Sequence, residues 1–300
     1  MTIRNLLGKE LLYFDGAMGT QLQAAGLQPG ENTDLWNLSH PEVVTGVHKA
    51  YIAAGANILK TNTFGANALK LAGTGHTVDE VVAAAFANAH RAWDESGAPS
   101  DRRFTALDLG PTGKLIEPFG DLPFEKAVDL YAEMVRAGVR AGADLILIET
   151  QSDTYEAKAA MVAARENSDL PFFVTFTFDK DGKLLNGADV ETAMILADAL
   201  GAASTAASGP TSFRNWSCAP GRSRICPSSL TRMRGCRKRK TVSRPGASRR
   251  TALRPTWPSS AGAAPPSWAA AAARGRTTSA PSWQRRTACL CRLPARTGRL

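Results

Sequence analysis

Cysteine is absent from the first 200 residues of this 300-residue chain, and aspartate and glutamate are absent from the last 100. The first absence removes disulfides and thiolate metal ligands from two thirds of the sequence, so nothing there asks for an oxidising compartment. Long apolar runs are also missing: no stretch reaches the about 18 consecutive apolar residues of a membrane span. The opening MTIRNLLGKE has one short apolar step and no cleavage-type small-residue site. A cytoplasmic protein with no membrane partner is expected. The second absence divides the molecule. Residues 1–200 hold 16 Lys+Arg and all 27 Asp+Glu, a net charge of −11, whereas residues 201–300 hold 18 Arg and 2 Lys for +20. The overall +9 is therefore an average of two unlike segments. The tail holds all five cysteines and 10 of the 17 prolines, yet only one Ile, one Val, one Phe and no Tyr. Such a composition cannot bury enough apolar surface to offset the entropy of ordering, so disorder is expected over 201–300.

The first 200 residues carry a regular alternation. Short β-branched or aromatic runs occur at 11–16 (LLYFDG), 56–64 (ANILKTNTF), 104–110 (FTALDLG), 143–150 (ADLILIET) and 171–178 (PFFVTFTF). Between them the 3.6-residue apolar spacing predicts helices, among them Pro41–Ala54, Pro123–Ala141 and Asp153–Ala164. Gly55 and Gly142 follow two of these helices, where a left-handed closing residue is cheapest as glycine. Strand and helix in alternation imply an α/β fold with a parallel sheet. Five strands fit into 200 residues. A doubly wound sheet could end there, whereas a (β/α)8 barrel would require three more from the tail.

In either architecture the chemistry gathers at the C-terminal ends of the strands. Asp15 of DGAMGT, Asn62 of TNTF, Asp108 of DLGPTG and Glu149 of IET fall at those ends. Any one of them alone reads as a helix cap or a solvated loop acid. As a set they are costly, because carboxylates converging on a partly dry mouth require a cation. No Lys or Arg stands beside Asp15 or Glu149 in sequence, and a substrate ammonium would supply that charge. The glycines of DGAMGT permit backbone N–H groups to turn toward a carboxylate. Acid acceptors plus a backbone anion site match the two charged groups of an amino acid.

FDGAMGTQLQ, DLWNLSHPEVVTGVHKAYIAAGANILKTNTFGAN, DLGPTGKLIEPFG and GADLILIETQSD resemble, in register over about residues 8–200, the homocysteine-binding barrel of the homocysteine S-methyltransferases. The likeness is greatest to the N-terminal module of the cobalamin-dependent methionine synthase type. It implies a TIM (β/α)8-barrel fold, here incomplete, with strands 1 to 5 in residues 1–200. It implies homocysteine as substrate and a methyl donor that is either a small molecule or methylcobalamin on a cobalamin-carrying domain. On the same likeness Asp15 and Glu149 hold the substrate amino group, the backbone of Gly16, Ala17 and Met18 its carboxylate, and Asn62 and Asp108 line the pocket. The family's zinc sits on three cysteines, one in an Asn-Cys pair after strand 6 and two in Gly-Gly-Cys-Cys after strand 8, and keeps the substrate sulfur as thiolate.

Neither cysteine motif occurs here; Cys218, Cys226, Cys236, Cys289 and Cys291 sit in other contexts. Read one frame along, however, the codons for TRMRGCR (231–237) permit Pro-Asn-Ala-Gly-Leu-Pro, the family's strand 7 motif. Those for PSWAAAAARGRTTS (266–279) permit Gly-Gly-Cys-Cys-Gly-Thr, and those for STAASGPTSFRNWSC (204–218) permit a run that begins Asn-Cys-Gly-Leu-Gly-Pro. Three family motifs in order and in one frame mark the tail as an out-of-frame translation. Methyl transfer by the chain as written is not expected. The rival reading takes GCRKRKTVSRPGASRR (235–250) as a disordered basic arm of a nucleic-acid-binding α/β protein. The recovered motifs account for the same letters without a nucleic acid partner.

Overall fold

The computed structural model describes residues 2–7 and 9–208. Five strands form one parallel sheet in sequential order: β1 (Ile58–Lys60), β2 (Phe104–Leu109), β3 (Leu145–Gln151), β4 (Phe172–Phe178) and β5 (Ala203–Ser208). The helices are α1 (Met18–Ala24), α2 (Trp36–Ser39), α3 (Pro41–Ala53), α4 (Ala68–Leu71), α5 (Val78–Ser96), α6 (Phe124–Arg140), α7 (Thr154–Asn167) and α8 (Val190–Leu200). Strand, helix and next parallel strand repeat in the manner of a (β/α) barrel, so the expected α/β class and partial barrel are what the chain forms. The three predicted helices appear as α3, α6 and α7, with Asp153 accepting from the Tyr155 N–H to cap α7. Gly55 and Gly142 take positive φ of 101° and 91°, as a left-handed helix end requires.

The set of five strands differs from the expected one at both ends. Residues 11–16 do not form a strand: Phe14 makes one parallel bridge to Ile58, flanked by the Asp15 N–H donating to Ile58 O at 2.9 Å and the Ile58 N–H to Tyr13 O at 3.0 Å. The ladder is this short because β1 itself has three residues; beyond Lys60 the TNTF segment leaves the sheet. The fifth strand is instead Ala203–Ser208, paired with β4 over six positions from Phe173↔Ala203 to Phe178↔Ser208. Its small residues, ASTAAS, carry no strand signal of their own, and the register comes from β4. β5 lies beyond residue 200, where the composition changes. The disorder expected over 201–300 is thus corrected for 201–208, which pair with β4 through backbone hydrogen bonds; residues 209–300, with the five cysteines and the basic run, lie outside the described residues.

Alternation along the strands sorts side chains into two layers. Leu107, Leu109, Ile146, Ile148, Val174 and Phe176 face the helices, packing with buried residues of α5 to α8 such as Phe86, Tyr131, Met161 and Met194. Ile58, Phe104, Ala106, Leu145, Leu147 and Phe173 face the other way and close with Leu12, Ile3 and Leu6 of the N-terminal turn. Each large apolar side chain so buried contributes about 1.5–3 kcal/mol. This inner cluster is the floor on which the polar residues of the next layer stand.

Candidate active site

Counting two residues onward from the floor gives the site. Ile58, Ala106 and Leu147 belong to the inner cluster, so Lys60, Asp108 and Glu149 project to the same side one layer nearer the C-terminal strand ends. Register aligns them, with Lys60 opposite Ala106 and Asp108 opposite Leu147. Asp15 follows Phe14, the residue bridged to Ile58. Asp15, Asp108 and Glu149, expected from the sequence to meet, do so.

The cation among them comes from the chain itself. Lys60 Nζ donates to Glu149 Oε1 at 2.9 Å and Oε2 at 3.2 Å, and the Lys60 backbone N–H donates to Asp15 Oδ2 at 3.1 Å. The expectation that only a substrate would bring positive charge is corrected here: Lys60 stands 45 residues from Asp15 and 89 from Glu149, so it is near in space and remote in sequence. The alternation of ANILKTNTF was the signal that could have found it, since Lys60 shares a face with Ile58.

One lysine does not satisfy three carboxylates. Asp15 and Asp108 are both buried, and Asp15 Oδ1 and Asp108 Oδ1 accept no hydrogen bond. Burial raises the Asp15 carboxyl above its ordinary range, against the opposing pull of His48 and Lys60. Asp108 lies well above that range, first through burial and then through the neighbouring Glu149, with Lys60 opposing. Burial works to lower the Lys60 ammonium, but Asp108, Glu149 and Asp15 together outweigh it and hold it above its ordinary value. His48 of α3 is buried beneath, its Nδ1 3.8 Å from Asp15 Oδ2.

The turn after Asp15 is shaped by α3 as well. Tyr51 Oη donates to Ala17 O at 3.0 Å, and its ring covers Gly16 so closely that a Cβ there would lie 2.6 Å from Tyr51 Oη. Helix α1 then begins at Met18 with Ala17 as a cap that lends no side-chain acceptor. Asn62 is placed differently from the acids: its Nδ2 donates to Thr33 O at 2.8 Å, and its carbonyl accepts from Asn37 Nδ2 at 2.7 Å, so its amide nitrogen secures the neighbouring loop. The flanking threonines hold the end of β2, Thr61 Oγ1 donating to Ala106 O at 3.1 Å and Thr63 Oγ1 to Asp108 O at 2.8 Å.

Two further features were not foreseen. Thr150, directly after Glu149, has φ 61°, and the β3–β4 register shifts between Ile148 and Gln151. The Thr150 N–H donates to Thr175 Oγ1 at 2.8 Å, which holds this bulge in place. Below the loop of DLGPTG, buried Glu156 accepts from the Thr112 N–H at 2.7 Å, Thr112 Oγ1 at 2.6 Å and Tyr131 Oη at 3.1 Å. Among the described residues no group of three His, Cys, Asp or Glu is arranged to hold a metal ion. Phe64, Leu115, Phe119, Tyr155 and Leu185, all in or bordering the loops that follow the strands, are exposed apolar side chains around this end of the sheet.

Comparison with known proteins gives a consistent result. Residues 12–209 match the family model described as homocysteine S-methyltransferase. Methionine synthase of Mycobacterium tuberculosis is 31% identical over 210 residues, 66% of this chain and 18% of the relative. Methionine synthase of Mycobacterium leprae is 30% identical over 208 residues, 65% of this chain and 17% of the relative. The chain thus spans under a fifth of the length of these relatives. Among solved structures, the oxidised form of the homocysteine methyltransferase MmuM from Escherichia coli superposes with a TM-score of 0.58 at 23% identity, covering 68% of this chain and 76% of that one.

Proposed function

From a chain that belongs to the homocysteine S-methyltransferase family, a family of transferases, we propose that residues 12–209 form the part of its barrel that receives the amino-acid end of homocysteine. The observation that carries this reading is the buried cluster of Asp15, Asp108 and Glu149, which holds one lysine and still leaves two acid oxygens without a donor. The substrate ammonium is the missing donor. Its carboxylate is taken by backbone N–H groups of Gly16, Ala17 and Met18, at a turn that Tyr51 holds in place and no side chain caps. Asn62 secures the adjoining loop and Asp108 lines the pocket. The dry floor beneath strengthens each of these charge interactions by excluding water.

For the reaction itself homocysteine must present its sulfur as a thiolate, and a free thiol with an ordinary pKa of about 8.5 is mostly protonated at neutral pH. Zinc supplies that ionisation in the resemblance, through three cysteines. The described residues include no cysteine and offer no donor set for the ion, so they do not fit it, and no step through zinc follows from them. Because neither the Asn-Cys nor the Gly-Gly-Cys-Cys motif occurs in the sequence, the reading for the chain as written is substrate binding without methyl transfer, the last third being an out-of-frame translation. In the family reading the methyl donor is methylcobalamin or another molecule, and the exposed apolar side chains Phe64, Leu115, Phe119 and Leu185 border the site.

Calorimetric titration of the full chain with L-homocysteine under reducing conditions tests the proposal. Saturable binding is expected, and Asp15→Asn should weaken it at least about ten-fold, in line with loss of one charge-assisted contact. Heat signals equal to those of 4-mercaptobutanoate, which keeps the thiol and the carboxylate but has no ammonium, would overturn it. Sequencing of the DNA across codons 195–210 tests the frame: a missing or extra base is expected, and an uninterrupted frame in independent isolates would favour the basic-arm reading.

A further inference from the structure

The amino-acid site contains its own competitor. Lys60 places its ammonium 2.9 and 3.2 Å from the two oxygens of Glu149, with the lysine side chain 14% and the glutamate side chain 26% exposed. Glu149 is therefore already engaged by a positive charge. Asp15 Oδ1 and Asp108 Oδ1 are the acid oxygens that are buried and accept nothing. A buried acid oxygen without a hydrogen-bond partner is costly, and a second ammonium brought against these two would both draw the acids into their ionised form and satisfy them. We propose that Lys60 is a specificity-determining residue: it is a resident counter-ion that keeps Glu149 occupied and leaves Asp15 and Asp108 to receive the ligand's ammonium.

This inference rests on the reading that the ligand is an amino acid, and it reassigns Glu149 within that reading. The pair is neutral, so the pocket offers its attraction through Asp15 and Asp108 and admits one further positive charge. If Glu149 loses its charge while Lys60 remains, the freed ammonium turns to Asp15 and Asp108 and occupies the place the ligand needs. If both charges are removed together, the pocket keeps its net charge and its two free oxygens. The single and double changes therefore have opposite consequences. A glutamate that touched the ligand directly would be missed equally in both.

The test titrates the full chain and its variants with L-homocysteine under reducing conditions, with circular dichroism and thermal melting to show that each variant is folded. Glu149→Gln is expected to weaken binding about ten-fold through the unpaired lysine. The double variant Lys60→Met/Glu149→Gln is expected to recover to within about three-fold of the parent chain, the rescue being the signature of competition. Asp108→Asn lowers affinity at least about ten-fold in either background. A double variant as weak as Glu149→Gln alone would overturn the inference while leaving the amino-acid reading intact. Absence of binding by the parent chain would overturn that reading and the inference with it.

Discussion

Asp34 carries the clearest pH signature of any single residue. Its carboxylate is buried and accepts from the Gly65 N–H at 3.0 Å. Burial pushes its pKa up to about 6, with the Gly65 N–H and the Lys70 charge opposing. A carboxyl raised in the folded state stabilises fully below its unfolded value, and that stability is lost as pH rises through the folded value. The window therefore runs from about pH 4 to a little above 6 and is worth about 3 kcal/mol. Asp34→Asn keeps an acceptor for Gly65 but has no proton to lose. Denaturant midpoints of parent and variant should diverge in the variant's favour between pH 4 and 7; parallel curves would remove Asp34 as the cause. Asp108 has a corresponding effect on ligand. Burial and the adjacent Glu149 hold its proton, so ammonium affinity should rise with pH as Asp108 ionises among Asp15, Glu149, Lys60 and His48. Affinity followed as the pH is raised should climb in the parent chain and stay flat in Asp108→Asn. Gly16 makes a steric prediction: its Cβ position is claimed by Tyr51, so Gly16→Ala should break the Tyr51 bond to Ala17 O, cost about 1–3 kcal/mol in stability and weaken homocysteine binding. Asp15, Asp108 and Glu149 were legible in the sequence only as a set, because carboxylates at the ends of several apolar strands converge on one partly dry mouth. Lys60 was not, because its partners are far along the chain and only the strand register brings them to it.

Elements were legible to the extent that they carried their own signal. β2, β3 and β4 are six or seven residues of β-branched and aromatic character, and α3, α6 and α7 have apolar stripes with Pro at or just before their starts or Asp as a cap. Residues 11–16 have the composition of a strand but only a three-residue neighbour to pair with, and β5 has the pairing without the composition. Pairing decided both. Within β3 the bulge at Thr150 has a measurable cost, since a β-branched residue at φ 61° is strained by about 1–2 kcal/mol. Thr150→Gly should relieve that strain and hold or raise the melting temperature. Thr177→Gly, at an exposed extended position of β4 where glycine chiefly adds chain entropy, should lower it. A drop of equal size at both positions would show that the left-handed turn is not strained.

For the molecule as a whole, the family match ends at residue 209, close to the point where acids vanish and cysteines begin. The first 200 residues carry a fold that could be read from pattern. For residues 209–300 the proposed reading rests on their codons, since neither apolar period recurs in that sequence. At this scale the expected outcome concerns metal: the purified full chain, analysed by plasma mass spectrometry after dialysis against zinc, should retain well under one ion per chain and should not methylate homocysteine. One tightly held ion would show that Cys218, Cys226, Cys236, Cys289 and Cys291 include a working ligand set.

Lys60 grips Asp15 through its backbone and Glu149 through its side chain, and those acids belong to different βα repeats. Such a bridge ties together the histories of distant codons. A lineage that lost the lysine would be left with an acid to neutralise, so substitutions at 60 and 149 should arrive as matched pairs across descendants, swapping charge or shedding it jointly.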